Sequence, residues 1–224
     1  MNWFDSPYGK QLLSTEQALI DAFIHDKFGY FALQLGSFDC NFLNNSRIST
    51  HLFNGGKHKN IAFHLDAIPL EEDSVDLIVC PHIIEQLTDI KSFFKDLSRV
   101  IVPGGYTLFI SFNPYSFAGL RSLVGFDNHN PWNCKFKSPR EVQSLLVKAG
   151  FTIEQAKFFH YQPIFNDNSD LLIRALENIG GRWLPLFGNI YCILAKKIMP
   201  GVTPIKPKWN RPKKIAVALN KGNI

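Results

Sequence analysis

Short apolar runs alternate with amphipathic stretches along most of this chain. The almost continuous apolar runs Tyr30–Leu35 and Val75–Cys80 predict strands that are buried on both faces of a parallel sheet. Apolar residues at helical spacing predict a helix over Asp89–Val102 with one buried face. Pro103-Gly104-Gly105 is expected to end that helix and to lead into a strand at Tyr106–Phe112. This order of elements indicates an α/β sheet with helices on both faces.

Weaker patterns complete the predicted elements. A first helix is expected over Leu12–Phe28, with Ser14 as its N-cap. Ser138 followed by Pro139 predicts the start of a later helix, and a helical insertion is expected around Leu171–Ile179. The remaining strands, of which the last two form an antiparallel pair at one edge, are expected at Arg47–Phe53, Asn60–Leu65, Phe151–His160 and Asn189–Lys196.

The linkers after the first two strands are short. A crossover between parallel strands that carries its own helix needs about 10–12 residues or more. The linker from Gly36 to Ile48 barely reaches that length, and the linker from Phe53 to Ile61 is shorter. We therefore expect the helices after these two strands to be trimmed or missing.

Composition favours a single domain over residues 1–197. The chain has 224 residues, of which 46% are hydrophobic and 19% charged, enough to bury one substantial core. Neither a signal peptide nor an apolar window of about 18 residues is evident, so a soluble, cytoplasmic protein is expected. Its four cysteines are scattered without a C-x-x-C pair, and Cys80 and His82 alone are too few ligands for a metal site.

The last part of the chain differs in charge from the rest. Nine Lys or Arg and no acidic residue follow Glu177, although the whole chain has a net charge of only +5. Residues 198–224 hold several prolines among these basic residues, which indicates an extended tail. Such a tail has the charge to bind nucleic acid or an anionic membrane surface, or it wraps its own domain.

The stretch from Asp66 to Ser111 carries a family resemblance. It reads DAIPLEEDSVDLIVCPHIIEQLTDIKSFFKDLSRVIVPGGYTLFIS, in which an acid ends one strand, an Asp-Leu strand follows, and a helix leads through Pro-Gly-Gly to another strand. This order closely resembles the middle of class I S-adenosylmethionine (SAM) dependent methyltransferases of the "type 11" kind. The resemblance implies a Rossmann-like, seven-stranded, mostly parallel sheet with an antiparallel edge strand, and SAM as cofactor.

The resemblance also implies a set of site residues. The family's acid-x-Gly-x-Gly turn corresponds here to Gln34-Leu35-Gly36-Ser37-Phe38, so that only its first glycine remains. The family's adenine-binding acid corresponds to Asp66, and the loop that faces the methyl donor and acceptor corresponds to Cys80–His82. His82 is the candidate catalytic residue, because an imidazole can accept a proton from the acceptor. The residues that the resemblance assigns to the cofactor are Gln34, Gly36, Ser37, Asp66, Ala67, Cys80 and Pro81.

Two functions follow from these features. The first is a SAM-dependent methyltransferase that acts on a small or lipid-like acceptor, with a reshaped cofactor pocket. The alternative is a catalytically inactive methyltransferase-fold module that binds a partner such as RNA through its basic tail. The intact second half and the polar His82–Glu85 loop favour the enzyme, whereas the missing acid, the lost glycines and the short linkers favour the module. Cofactor binding discriminates between them.

Overall fold

The protein forms one sheet with helices on both faces. The computed structural model describes residues 6–36, 39–116, 136–160 and 188–199. The strands of these residues lie in the order β2-β1-β3-β4-β6-β5. In chain order the elements are α1 (Pro7–Ile24), β1 (Phe31–Leu35), β2 (Thr50–Asn54), β3 (Val75–Pro81), α2 (Ile90–Val100), β4 (Ile101–Phe112), α3 (Pro139–Lys148), β5 (Phe151–Phe159) and β6 (Ile190–Lys197).

The sheet is mostly parallel, as predicted. β2, β1, β3 and β4 pair in parallel, and β6 runs antiparallel to both of its neighbours. The antiparallel strand is therefore inserted between β4 and β5 and lies next to the edge rather than at it. Alternate residues of β3 face two cores, because Ile78 and Cys80 pack with α2 and α3, whereas Leu77 and Val79 pack with α1. The carboxyl ends of β1 to β4 consequently lie at one end of the sheet, where open α/β sheets bind their ligands.

α1 starts earlier than the capping pattern predicts. Its N-cap is Ser6, whose Oγ accepts a hydrogen bond of 3.0 Å from the Gly9 N–H, and Pro7 follows in the first turn. Ser14, the predicted cap, lies inside the helix. The prediction was wrong because Ser6-Pro7 combines a capping side chain with a proline whose φ suits the first turn, and tertiary packing of Leu12 extends the buried stripe in that direction.

The segment predicted as a strand at Asn60–Leu65 is irregular, so the described residues form six strands rather than seven. Asparagine side chains take the place of a backbone ladder. Asn60 Oδ1 accepts from the Phe53 N–H at 2.7 Å, and Asn60 Nδ2 donates to the His51 carbonyl at 2.8 Å. Asn54 likewise bonds both backbone groups of Phe63 through its amide. The segment is thus fastened beside β2 without becoming a strand.

The trimmed linkers are confirmed for the described residues. Residues 39–49, between β1 and β2, hold turns and bends only, and residues 55–74, between β2 and β3, contain no helix. The α1 face of the sheet is covered there by Phe42, Leu43 and Ile48 from the first of these linkers. A short linker therefore fills with apolar side chains the space that a crossover helix would cover.

The junction between α2 and β4 differs from its prediction. The helix ends at Val100 and the strand begins immediately at Ile101, so that Pro103-Gly104-Gly105 lies within β4. The N–H groups of Asp73 and Ser74 bond the last helical carbonyls, those of Arg99 and Val100, each at 2.9 Å. These bonds end the helix before the proline is reached. The pairing register of β3 with β4 shifts at this point.

The start of the later helix is confirmed. Ser138 caps α3 through a 3.2 Å hydrogen bond from the Glu141 N–H to its Oγ, and Pro139 is the first helical residue. The insertion predicted around Leu171–Ile179 and nearly all of the basic tail lie outside the described residues. None of the described helices has the length and apolar character needed to cross a membrane.

Candidate active site

A polar cleft lies at the carboxyl ends of β1, β2 and β3. Its volume is about 340 Å³, within the range of small-molecule sites. Gly36 follows β1, Asn54 ends β2 and Gly55 follows it, and Lys59, Phe63–Asp66 and Gln86–Thr88 form the remaining walls. Gly36 and Asp66, which the resemblance assigns to the cofactor, are therefore brought together in one cleft. Ala67 is exposed beside Asp66.

A clamp on the following segment holds Asp66 in position. The Ala67 N–H bonds the His64 carbonyl at 3.2 Å and closes a turn around Asp66. Arg99 of α2 then donates to the carbonyls of Ile68 and Leu70, each at 2.7 Å. Arg99 also forms an ion pair with Asp96 on the same helix, at 2.7 Å. The Asp66 carboxylate itself is exposed in the cleft and makes no hydrogen bond or ion pair with the described residues.

Gly36 and Gln34 shape the turn after β1 in different ways. Gly36 has φ +111°, a conformation that side chains with a Cβ rarely adopt. Gln34 Nε2 donates to the Cys40 carbonyl and Gln34 Oε1 accepts from the Phe42 N–H, both at 2.8 Å. The amide of Gln34 is thus a clip between β1 and the following loop, so both of its functional atoms are engaged by the protein. Ser37, also predicted to bind the cofactor, lies outside the described residues.

Restoring the family's acid in the Gln34→Glu variant is expected to lower the free energy of unfolding by about 2–3 kcal/mol. The carboxylate retains an acceptor for the Phe42 N–H, but its second oxygen faces the Cys40 carbonyl in a buried position. Urea unfolding at pH 7 measures the change, with Gln155→Glu on the exposed face of β5 as the control. Equal stability of the Gln34→Glu variant and the parent would contradict a stabilising role for the two hydrogen bonds of the Gln34 amide.

Cys80 and Pro81 lie beneath the cleft rather than in it. Cys80 is fully buried among residues that pack on α2, and burial raises the pKa of its thiol. Pro81 is buried at the last pair of β3 with β4, opposite Ile110. The structure places the backbone of both residues at the strand end and their side chains in the core. Their assignment to the cofactor stays a prediction.

His82 lies at the centre of a buried charged cluster. Its Nε2 is 2.9 Å from Glu16 Oε1, and its Nδ1 is 3.5 Å from Glu85 Oε1. Glu85 Oε1 also accepts from the Ser111 Oγ and the Phe112 N–H, each at 2.8 Å. The imidazole packs on the Phe112 ring with 4.4 Å between ring centroids. His82 has φ +49°, a strained conformation of the kind found at functional sites.

The two carboxylates determine the protonation of His82. Burial lowers its pKa, but the charges and hydrogen bonds of Glu16 and Glu85 outweigh burial and raise the pKa of His82 to about 10. Burial raises the pKa of Glu85, and the bond and charge of His82 bring it below its usual value. The imidazole is therefore protonated at neutral pH. A role as a neutral base, which the sequence suggested, needs a partner that first takes this proton.

Glu16 is the site residue that sequence reasoning missed. It lies on α1 between Leu12 and Ile20, at the helical spacing of the buried stripe, and has 0% exposure. A lone acid within an apolar stripe is the signal that could have found it, since a buried carboxylate needs a partner. Its partner, His82, is far away in sequence, and only the fold brings the two together.

Comparison with protein families identifies a methyltransferase segment. Residues 39–109 match the family model described as "Methyltransferase domain". The matched range begins after the altered turn and includes Asp66 and the His82–Glu85 loop. It ends within β4.

Known proteins resemble this chain at low identity. The "Uncharacterized protein YafS" of Escherichia coli is 24% identical over 217 residues, 94% of this chain and 87% of that protein. The "Malonyl-[acyl-carrier protein] O-methyltransferase" of Methylovorus sp. is 24% identical over 129 residues, 58% of this chain and 43% of that protein. The chain thus matches less than half the length of that enzyme. A SAM-dependent methyltransferase structure from Archaeoglobus fulgidus has a TM-score of 0.59 at 18% identity, covering 84% of this chain and 94% of that one.

The predicted resemblance to the class I SAM-dependent methyltransferases is therefore confirmed, and SAM is the cofactor that it implies. The residues at one end of the cleft fit an adenine ring, because an unpaired carboxylate faces the cleft beside Leu65 and Leu87. At the end of β2, the Asn54 amide is already bonded to the backbone of Phe63, so it is less available to a ligand.

Proposed function

We propose that this protein transfers the methyl group of SAM to an oxygen atom of a small or lipid-like acceptor. The methyltransferase match and the cleft at the strand ends support the reaction type. The O-methyltransferase named among its relatives supports an oxygen acceptor. The alternative, a silent module that binds RNA, has no support from the comparisons, and the tail that it needs lies outside the described residues.

The observation that carries the proposal is the Asp66 carboxylate. It is the acid expected to accept a hydrogen bond from the adenine amino group, and at the wall of the cleft its oxygens bond none of the described residues. The Arg99 clamp on Ile68 and Leu70 keeps the segment that presents it in one conformation. Such preorganisation lowers the entropic cost of binding.

The residues around His82 are proposed to handle the proton of the reaction. SAM supplies a methyl group already activated by its sulfonium, so that catalysis requires mainly in-line positioning. Transfer to an acceptor oxygen would leave the electron pair of the broken carbon–sulfur bond on sulfur and would release one proton from the acceptor. His82 lies between the two carboxylates of Glu16 and Glu85, so we place it as a relay that passes on its own proton as it takes up the one from the acceptor.

Replacing Asp66 with asparagine is expected to weaken SAM binding about tenfold or more, because an amide is a poorer acceptor than a carboxylate for the adenine amino group. Titration calorimetry with purified full-length protein measures the dissociation constant. Glu72→Gln is the control, an exposed acid that does not line the cleft.

Two results would contradict the proposed function. One is the absence of SAM binding by the parent protein at millimolar concentration. The other is equal affinity of the parent and the Asp66→Asn variant, which would place the adenine ring elsewhere. Equal unfolding temperatures of the two proteins establish that a change in affinity reflects the site rather than the fold.

A further inference from the structure

Among the described residues, the Glu16–His82–Glu85 cluster holds two carboxylates and one imidazole. Its two carboxylates face one imidazolium, and all three side chains have 3% exposure or less. A buried charge without a counter-ion is costly, so such groups are normally paired or bound to a cation. No group of metal-ligating residues occurs among the described residues. A ligand that carries a positive charge would complement these two carboxylates.

Two oxygen atoms of the cluster lack hydrogen bonds. Oε2 of Glu16 and Oε2 of Glu85 are buried and accept no hydrogen bond from the described residues, whereas Oε1 of each is bonded. Native proteins rarely leave buried carboxylate oxygens unsatisfied, and each exception calls for an explanation. Both orphan atoms are acceptors. A donor with positive charge, such as an ammonium, satisfies the charge and the hydrogen bond together.

The cluster adjoins the cleft that holds Asp66. Gln86 lines the cleft, and its Nε2 donates to the His82 carbonyl at 2.9 Å. On the other side, Glu16 lies near Cys40, in the loop after β1. Burial raises the pKa of the Cys40 thiol, and the negative charge of Glu16 raises it further. The orphan carboxylates thus lie between the loops that follow β1 and β3, next to the turn where Gln34 replaces the family's acid.

We propose that this cluster binds the positively charged amino-acid end of SAM, so that Glu16 of α1 supplies the carboxylate that β1 lacks. The inference rests on the proposed function and extends it to a named ligand group. That end of SAM carries two cationic centres, the α-ammonium and the sulfonium, against one α-carboxylate, so its net charge is positive and complements that of the cluster. The adenine end lies at Asp66, and the cofactor spans from the cleft to the cluster.

Calorimetric titrations with three nucleosides distinguish the contributions of the two cationic centres to binding. SAM carries both centres, S-adenosylhomocysteine carries the ammonium only, and 5′-methylthioadenosine carries neither. Glu16→Gln retains an acceptor for the His82 Nε2 and removes one negative charge. We expect this variant to bind SAM about 10–100-fold more weakly, the range of a lost charge-assisted hydrogen bond, and to bind 5′-methylthioadenosine as the parent does.

The response to S-adenosylhomocysteine identifies the centre. A parallel loss for it assigns the α-ammonium, and an unchanged affinity assigns the sulfonium. An equal loss for all three nucleosides, or no loss for any, overturns the inference, because Glu16 then acts on the fold alone or has no role in binding. Glu154→Gln, an exposed acid on β5, is the matched control. If Glu16→Gln does not fold, Glu85→Gln provides the same comparison, since an amide oxygen still accepts from Ser111 and Phe112.

The failure of this inference is distinguishable from that of the proposed function. SAM binding that weakens in Asp66→Asn and not in Glu16→Gln leaves the function standing and removes only the role of Glu16. A parent protein that binds none of the three nucleosides overturns both.

Discussion

Replacing His82 with asparagine is expected to lower the free energy of unfolding by about 3–5 kcal/mol, the range found when one partner of a buried ion pair is removed. In the parent protein, the Glu16 carboxylate lies 2.9 Å from the imidazole Nε2. The variant leaves this buried carboxylate and that of Glu85 without the positive charge of His82. Asparagine is chosen because it tolerates the φ of +49° at this position better than most residues. Urea unfolding at pH 7 measures the loss.

His160→Asn is the matched control for this variant. His160 is also buried and has φ +60°, but burial lowers its pKa to about 4, so it is neutral at pH 7. Its replacement removes no buried charge, and we expect a loss of about 1–2 kcal/mol. Equal losses in the two variants would contradict the charged cluster, because packing or backbone strain alone would then account for both. Adding Glu16→Gln to His82→Asn is expected to recover part of the loss, since it removes one of the stranded charges.

Alkaline pH is expected to remove the stability that the cluster contributes. The pKa of His82 is raised from 6.5 to about 10 in the folded protein, so protonation stabilises the fold fully below pH 6.5 and the contribution is lost as pH rises through 10. Each pH unit of that window is worth about 1.4 kcal/mol at most, which makes the total several kcal/mol. Unfolding free energies measured from pH 6 to pH 10 test this dependence.

The His82→Asn variant isolates the contribution of His82 from that of other groups. The difference in unfolding free energy between parent and variant should shrink steadily over the alkaline window, because the variant has no proton to lose at residue 82. A constant difference would mean that His82 is neutral in the fold. At the acidic end, Glu85 has a pKa below its usual value of 4.5, so its contribution is present above that pH and is lost as pH falls further.

Local patterns predicted most of the sheet and failed where side chains replaced backbone bonds. The apolar run of β3 and the Ser138-Pro139 start of α3 were predicted within a residue, because each signal is local. The segment at Asn60–Leu65 has the alternating pattern of a strand, yet the Asn60 amide satisfies the β2 edge before a ladder can form. Sequence spacing does not reveal that a side chain will take the place of a strand.

The candidate site likewise contains residues that the sequence predicted and contacts that only the fold shows. Asp66 and Gly36 were predicted from a resemblance in sequence, and the fold places both at one cleft. The clip made by Gln34 was not predicted, because it depends on where the loop at Cys40 and Phe42 folds back. The protonated state of His82 depends on Glu16, a residue on another element. A local sequence pattern does not predict an ion pair between residues that only the fold brings together.

The Asn60 side chain occupies backbone groups at the edge of β2, and this affects how copies of the chain associate in concentrated solution. A sheet that ends in an uncovered strand offers a row of free N–H and C=O groups on which a second chain can add its own strand. Here the His51 carbonyl and both backbone groups of Phe53 are already engaged by residues 60 and 61. A strand of a neighbouring copy therefore cannot pair with these backbone groups of β2. The chain resists edge-to-edge aggregation there although none of the described helices covers the edge.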